Sequence, residues 1–257
     1  MDIIEEYKLQ QSWRNWNQYL ELIPLDKNDR VIDLGCSVGG VSNLLSKQVA
    51  SVTGIDLNND FINYCKSSQQ LNQNFICSDF TKVDYDSLSP ITGVWSSFSI
   101  SYLSNPAGFL KSLYEILQSG GWIALVDVSC FISGNMLSDS KYYAAVKEFE
   151  VESHKSGVYD FDFGSKMAAL LTQTGFQIIH VDNDVTDAEL NFNGAAEPHI
   201  LRNWKARLER MYGLRNKFPT QYTTICEEII TSLESAQHCK RNNVKFVVAK
   251  KALKKQR

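Results

Sequence analysis

Two acids stand where apolar runs end, Asp33 after Arg30-Val31-Ile32 and Asp56 after Val52-Thr53-Gly54-Ile55. Between them lies a stretch of small residues, Gly35-Cys36-Ser37-Val38-Gly39-Gly40. Small residues let a backbone pass close to a ligand, and a helix starting just beyond them presents unpaired N–H groups. Asp56 falls sixteen residues after Gly40, placed to accept two hydrogen bonds from ribose hydroxyls. Taken alone, Gly35-x-Ser37-x-x-Gly40 also suits a dinucleotide such as NAD. Asp33 weighs against a pyrophosphate, whose negative charge it would repel, and in favour of an amino acid carrying an ammonium group.

These residues need a scaffold, and the alternation of short apolar runs with helical patterns from Arg30 onward predicts βαβ units around a parallel sheet. The expected strands are Arg30–Leu34, Ser51–Asp56, Asn74–Ser78, Val94–Phe98, Trp122–Val128, Phe176–Val181 and Val244–Ala249. A helix after Asn58 buries Phe61, Ile62 and Cys65. Another carries Phe109, Leu113, Ile116 and Leu117 and stops at Gly120-Gly121. The expected fold is a Rossmann-like, doubly wound α/β sheet of seven strands, mostly parallel with an antiparallel last strand, plus a helical lid.

Three stretches fall outside the alternation. Residues 1–23 read as an N-terminal helix with Trp13, Trp16, Leu20 and Ile23 on one face. Residues 129–164 contain an aromatic helix (Tyr142, Tyr143, Val146, Phe149). Residues 187–243 read as a hairpin, one helix aligning Ile200, Trp204, Leu208 and Met211, the other Tyr222, Ile225, Ile229 and Leu233, with Gly213–Pro219 as its turn. Their apolar faces must lie on something, and the edge where the strand C-termini open is the natural place for a lid within a single domain, 1–257.

At these residues the sequence resembles the class I S-adenosylmethionine-dependent methyltransferases, the small-molecule branch in particular. Their acid-x-Gly-x-Gly-x-Gly motif is matched by Asp33-Leu34-Gly35-Cys36-Ser37-Val38-Gly39, with Ser37 in place of the middle glycine. Val52-Thr53-Gly54-Ile55-Asp56-Leu57 resembles the second motif and Ser78-Asp79-Phe80 the third. Trp95-Ser96-Ser97-Phe98 with Leu117-x-x-Gly120-Gly121 follows the fourth strand and the turn into the fifth. The resemblance implies S-adenosyl-L-methionine as cofactor and S-adenosyl-L-homocysteine as product. It implies cofactor contacts at Asp33, Gly35, Cys36, Ser37, Gly39, Asp56 and Leu57, at Asp79 and Phe80 for the adenine, and at Ser97 through its backbone. The family often closes its N-terminal helix over the cofactor, which brings in Gln11, Arg14 and Trp16. The Asn-Pro-Pro-Tyr-type sequence of many nucleic-base and amide N-methylating relatives is absent; Ser97-Phe98-Ser99-Ile100 stands in its place.

The acceptor side is less legible. His154 and His199 lie in the lid segments and are the candidate general bases. Tyr102, Tyr142, Tyr143, Tyr159 and Trp204 are candidates to line a pocket. No His/Cys/Asp/Glu set has metal-ligand spacing, so no metal is expected. The net charge of −3 among 257 residues argues against nucleic acid as a partner. Lys205, Arg207, Arg210 and the basic tail from Lys250 to Arg257 are the support for an RNA- or protein-modifying alternative. A non-catalytic adenosylmethionine-binding scaffold is the alternative outside catalysis. The start Met1-Asp2 with Glu5 and Glu6 carries no signal sequence, and no apolar run is long enough for a membrane span. With six cysteines lacking a C-x-x-C pair, the expectation is a cytoplasmic monomer or homodimer acting on a small-molecule acceptor.

Overall fold

In the computed structural model, which describes residues 2–241 and 244–253, the expected sheet forms with strand order β3-β2-β1-β4-β5-β7-β6. The strands are β1 Arg30–Leu34, β2 Ser51–Asp56, β3 Gln73–Cys77, β4 Ile91–Ser97, β5 Leu117–Val128, β6 Gln177–Val185 and β7 Val244–Lys250. All pairings are parallel except those of β7, which runs antiparallel to both β5 and β6. The central strands are apolar on both faces because both are covered. Val31, Ile32 and Leu34 of β1 are buried, as are Val94 and Trp95 of β4.

Helices α1 Ile3–Trp13, α2 Trp16–Leu20, α3 Gly40–Leu45, α4 Asn59–Ser67 and α5 Pro106–Ile116 belong to the first half. The second half carries α6 Tyr143–Lys155, α7 Met167–Gln173, α8 Pro198–Glu209, α9 Tyr212–Lys217 and α10 Tyr222–Glu234. The caps follow from local chemistry. Asn58 Oδ1 accepts from the backbone N–H groups of Asp60 and Phe61 to start α4, and Asn105 caps α5 with Pro106 at its first position.

Several expectations are corrected. The N-terminal segment 1–23 is two helices, because Arg14 adopts an extended backbone (φ −96°, ψ 130°) as its side chain turns to Asp187 and Glu189. The helix expected to stop at Gly120-Gly121 ends at Ile116. Leu117, at a helical spacing, starts β5 instead, since it pairs with Ile91 across the sheet. Gly213–Pro219, expected as a turn, is largely occupied by α9, and Met211 caps α9 rather than extending α8. Asn243 and the tail beyond Leu253 lie outside the described residues.

One large apolar cluster joins the sheet to the helical excursion. It combines Trp16, Tyr19 and Trp95 with Phe131, Ile200, Trp204, Ile225, Ile229 and Phe246. The excursion is therefore built into the core and cannot be a detachable cover.

Candidate active site

The strand order reverses between β1 and β4, and a crevice opens there at the strand C-termini. Gly35 follows β1 at its rim, with φ +72°. A Cβ at this position would lie 1.9 Å from Ser99 Oγ, in the turn after β4, so both conformation and space require glycine. Ser37 also takes a left-handed φ (51°), and Gly39 (φ 77°) turns the chain into α3.

The two acids are brought together by this loop. Asp56 accepts from Ser37 N and from Asn58 N, each at 2.8 Å, so the end of β2 holds the small-residue loop in shape. Burial pushes the Asp56 carboxyl up, opposed by those backbone hydrogen bonds. Asp33 is buried and accepts from Ser42 Oγ at 2.6 Å. Burial raises its pKa to about 7, with the Ser42 hydrogen bond working in the other direction.

The residues present fit S-adenosylmethionine. A carboxylate has about four acceptor directions, and Asp56 uses two on the backbone, which leaves capacity for ribose hydroxyls. Ser37 Oγ is buried in the same loop with no hydrogen-bond partner, a polar atom that a ligand can satisfy.

The other motif residues lie around this crevice in varied settings. Cys36 is buried, and its thiol is pushed well up by a hydrogen bond with Cys65 and by burial. Leu57 is 75% exposed at the end of β2. Asp79 caps the short turn Phe80–Lys82, accepting from Thr81 N and Oγ1, and these bonds lower its pKa. Phe80 packs against Phe109 at 5.2 Å. Ser97 ends β4, and its carbonyl accepts from Ser99 Oγ.

Helices α1 and α8 are bonded to one another beside the small-residue loop, and together they are termed the roof. Gln11 Oε1 lies 2.6 Å from where a Gly40 Cβ would be and accepts from Trp16 Nε1 at 2.7 Å. Arg14 pairs with Asp187 and Glu189 at 2.8 and 2.6 Å and stacks 5.0 Å from the Phe98 ring, directly after β4. Glu189 also accepts from Asn203 and Arg207 of α8. Gln10 bonds to Asn203 at 2.9 Å, and Arg210 pairs with Glu6. Arg207 and Arg210, which in sequence look like a basic surface, are thus tied to buried carboxylates.

Beneath the roof the acceptor side is aromatic. Tyr102 is 65% exposed, and desolvation of its phenol raises the pKa. It meets Tyr159 at 4.6 Å. Tyr7 of α1 packs on Phe61 at 4.8 Å and lies within electrostatic reach of Asp56 and Arg207. Asp127, inside β5, is buried and accepts from Val128 N, and burial pushes it up to about 7.

The candidate bases have different surroundings. His154, in the last turn of α6, puts Nδ1 3.2 Å from Asp160, a buried acid also held twice by Lys166. His199 stacks on Trp13 at 4.8 Å and so joins the contact between α8 and α1. Tyr142 and Tyr143 begin α6, and the Trp204 indole donates to the Glu189 carbonyl. Tyr7 and Asp127 escape a reading by motif. An acid within the apolar run Ala124-Leu125-Val126-Asp127-Val128 was the available signal for the second.

Residues 32–125 match the family model described as a methyltransferase domain. A sterol 24-C-methyltransferase of Kluyveromyces lactis is 24% identical over 229 residues, 80% of this chain and 57% of that protein. The chain spans about half the length of the curated relatives it matches. An S-adenosylmethionine-dependent methyltransferase from Mesorhizobium loti superposes with a TM-score of 0.54 at 15% identity, covering 91% of this chain and 96% of that one. Haemonchus contortus phosphoethanolamine N-methyltransferase 2, in complex with phosphomonomethylethanolamine and S-adenosylhomocysteine, superposes with a TM-score of 0.60 at 17% identity, covering 97% and 57%.

The strand order is that of the fold of the class I S-adenosylmethionine-dependent methyltransferases, a family that this chain resembles over residues 32–125. Residues 32–125 are its methyltransferase domain core, and S-adenosylmethionine is the cofactor of that family. Among the described residues no helix is long and apolar enough to cross a membrane, and no group of three His, Cys, Asp or Glu could hold a metal ion.

Proposed function

We propose that this chain transfers a methyl group from S-adenosylmethionine to a small-molecule acceptor held between the strand ends and the roof of α1 and α8. The observation that carries this reading is the pairing of Asp33 and Asp56 around one small-residue loop, with Asp56 bonded to the loop itself. When bound, the cofactor supplies a methyl group on a sulfonium that already carries its leaving group. The protein's part is position and dryness. Asp56 and the Ser37 turn hold the ribose, Asp33 holds the amino acid end, and the helices exclude water from the acceptor side. A base is required only where the acceptor must lose a proton. His154 and Asp127 are our candidates to take it, and His199 remains a candidate tied to α1. Small molecules named for similar proteins support this reading, as in the sterol and ubiquinone-biosynthesis methyltransferases and the Haemonchus complex with phosphomonomethylethanolamine.

S-adenosylhomocysteine should bind in the micromolar range by calorimetry, and NAD should not compete. Tight NAD binding with no heat from either adenosyl ligand would overturn the reading. The cytoplasmic, monomeric or homodimeric state drawn from the sequence belongs to the same proposal, with fractionation and sedimentation as its tests.

A further inference from the structure

Arg207 projects from α8 into the roof with its guanidinium only partly committed. Nη2 donates to Glu189, and the flat group lies 5.2 Å from the Phe131 ring and 5.7 Å from that of Trp204. Nε is buried and has no hydrogen-bond partner. A guanidinium offers five N–H donors in a fixed fork, and buried donors without acceptors are rare in native folds. The side chain nonetheless keeps 24% of its surface accessible.

Aromatic rings connect Arg207 to the turn after β4. Phe131 stacks with Phe161 at 6.3 Å, Phe161 meets Tyr159 at 4.6 Å, and Tyr159 meets Tyr102 at 4.6 Å. An unbroken strip of rings therefore runs from Arg207 to the turn after β4, at the rim of the cofactor site. The Arg207 charge also reaches the phenols of Tyr7, Tyr102 and Tyr159.

The local charges leave room for an anion. Glu189 is shared between Arg14 and Arg207, and Asp187 is taken by Arg14, so no carboxylate is dedicated to Arg207. Asp127, the acid of the floor beside the strip, is pushed up to about 7 by burial and is only partly charged at neutral pH.

We propose that Arg207 recognises an anionic group, a carboxylate or phosphate, on the methyl acceptor, whose apolar body lies along the accessible rings of Tyr159 and Tyr102. The planar fork is the chemistry that matches such oxygens in pairs. This inference rests on the methyltransferase reading and narrows it to acceptors with an acidic end.

The test uses the full chain saturated with S-adenosylhomocysteine and three probes of similar shape, benzoate, phenyl phosphate and neutral benzamide. At least one anion should bind ten times more tightly than benzamide. Arg207→Gln should remove that preference while S-adenosylhomocysteine affinity stays within twofold. Equal binding of all three probes, no probe binding, or a preference that survives Arg207→Gln overturns the proposal. A tenfold loss of S-adenosylhomocysteine affinity in Arg207→Gln also overturns it, by assigning Arg207 to the cofactor's own carboxylate. Should the Gln variant fail to fold, Arg207→Lys keeps a charge beside Glu189 but loses the fork. It should then cut the preference at least threefold, and an unchanged preference counts against the proposal. Failure of S-adenosylhomocysteine to bind the unaltered protein would instead remove the methyltransferase reading and this inference with it.

Discussion

The floor and the roof of the crevice are built on opposite plans. The floor is local: Asp33, Gly35, Ser37, Gly39 and Asp56 occupy one βαβ unit, held by backbone N–H bonds to Asp56, the Ser42 bond to Asp33 and steric fit. The roof is assembled from ends of the chain, with Glu6, Gln10 and Arg14 bonded to Arg210, Asn203, Asp187 and Glu189. A backbone-built floor suits a constant ligand, the cofactor. A roof of side chains can change its acceptor by changing a few residues without disturbing the floor.

The comparison breaks most easily at Glu189. It is buried and serves Arg14, Arg207 and Asn203 at once. Glu189→Ala leaves two guanidinium groups short of a partner, and breaking a buried pair in this way costs about 3–5 kcal/mol. Urea unfolding should show a loss of that order. A loss under about 1 kcal/mol would mean that the roof is held by its apolar contacts, with the charges incidental.

On the floor, Asp56→Ala should weaken S-adenosylhomocysteine binding at least about a hundredfold. Two hydrogen bonds to a charged group are worth about 1.5–3 kcal/mol each, and the Ser37 turn loses its anchor as well. Asp56→Asn keeps acceptor oxygen for the loop and should fall between the two. Calorimetry showing unchanged affinity in the Ala variant would place the ribose elsewhere.

The same contrast explains what the sequence made legible. The bounds of β1 and β2 follow directly from their apolar runs, and the floor residues follow because spacing along one chain segment sets their separation. The roof could not be read in this way. Arg207 sits between Lys205 and Arg210 in a pattern typical of a solvated face, and its burial depends on Glu189, Phe131 and Tyr7, which are distant in sequence. Leu117 shows a related failure, because its helical spacing was overridden by pairing with Ile91 in the sheet. Gly213 and Pro219 suggested a turn, yet the residues between them have ordinary helical propensity and form most of α9.

Asp33 supplies the next effect, through pH. Its carboxyl is raised to about 7 in the unliganded protein, and an ammonium group favours the ionised form. Affinity for S-adenosylhomocysteine should therefore rise as pH climbs through 7, by about tenfold from pH 6 to pH 8, where the ionised fraction grows from roughly 0.1 to 0.9. Asp33→Asn should flatten that profile. The linked effect on folding has the opposite sense: the unliganded protein loses stability as pH rises from the usual carboxylate range to about 7, since the folded state holds the proton more tightly there. A pH-independent affinity in the unaltered protein would move the ammonium away from Asp33.

The smallest expected effect tests whether α1 and α8 act as one roof. Gln10 Nε2 donates to Asn203 Oδ1 at 2.9 Å and to Glu6 at 3.3 Å, while Asn203 donates to Glu189, so the pair links two ion-pair clusters. Both side chains are buried, which makes loss of either partner felt by the other. In a double-mutant cycle, Gln10→Ala and Asn203→Ala should couple by about 0.5–1.5 kcal/mol in urea unfolding, with the double variant close to the worse single one. Gln10→Ala paired with Asp33→Asn should be additive within about 0.5 kcal/mol, because floor and roof share no hydrogen bond at these positions. Additivity of the first pair would mean that α1 and α8 rest on the crevice independently. The acceptor side could then open at one helix while the other stays closed.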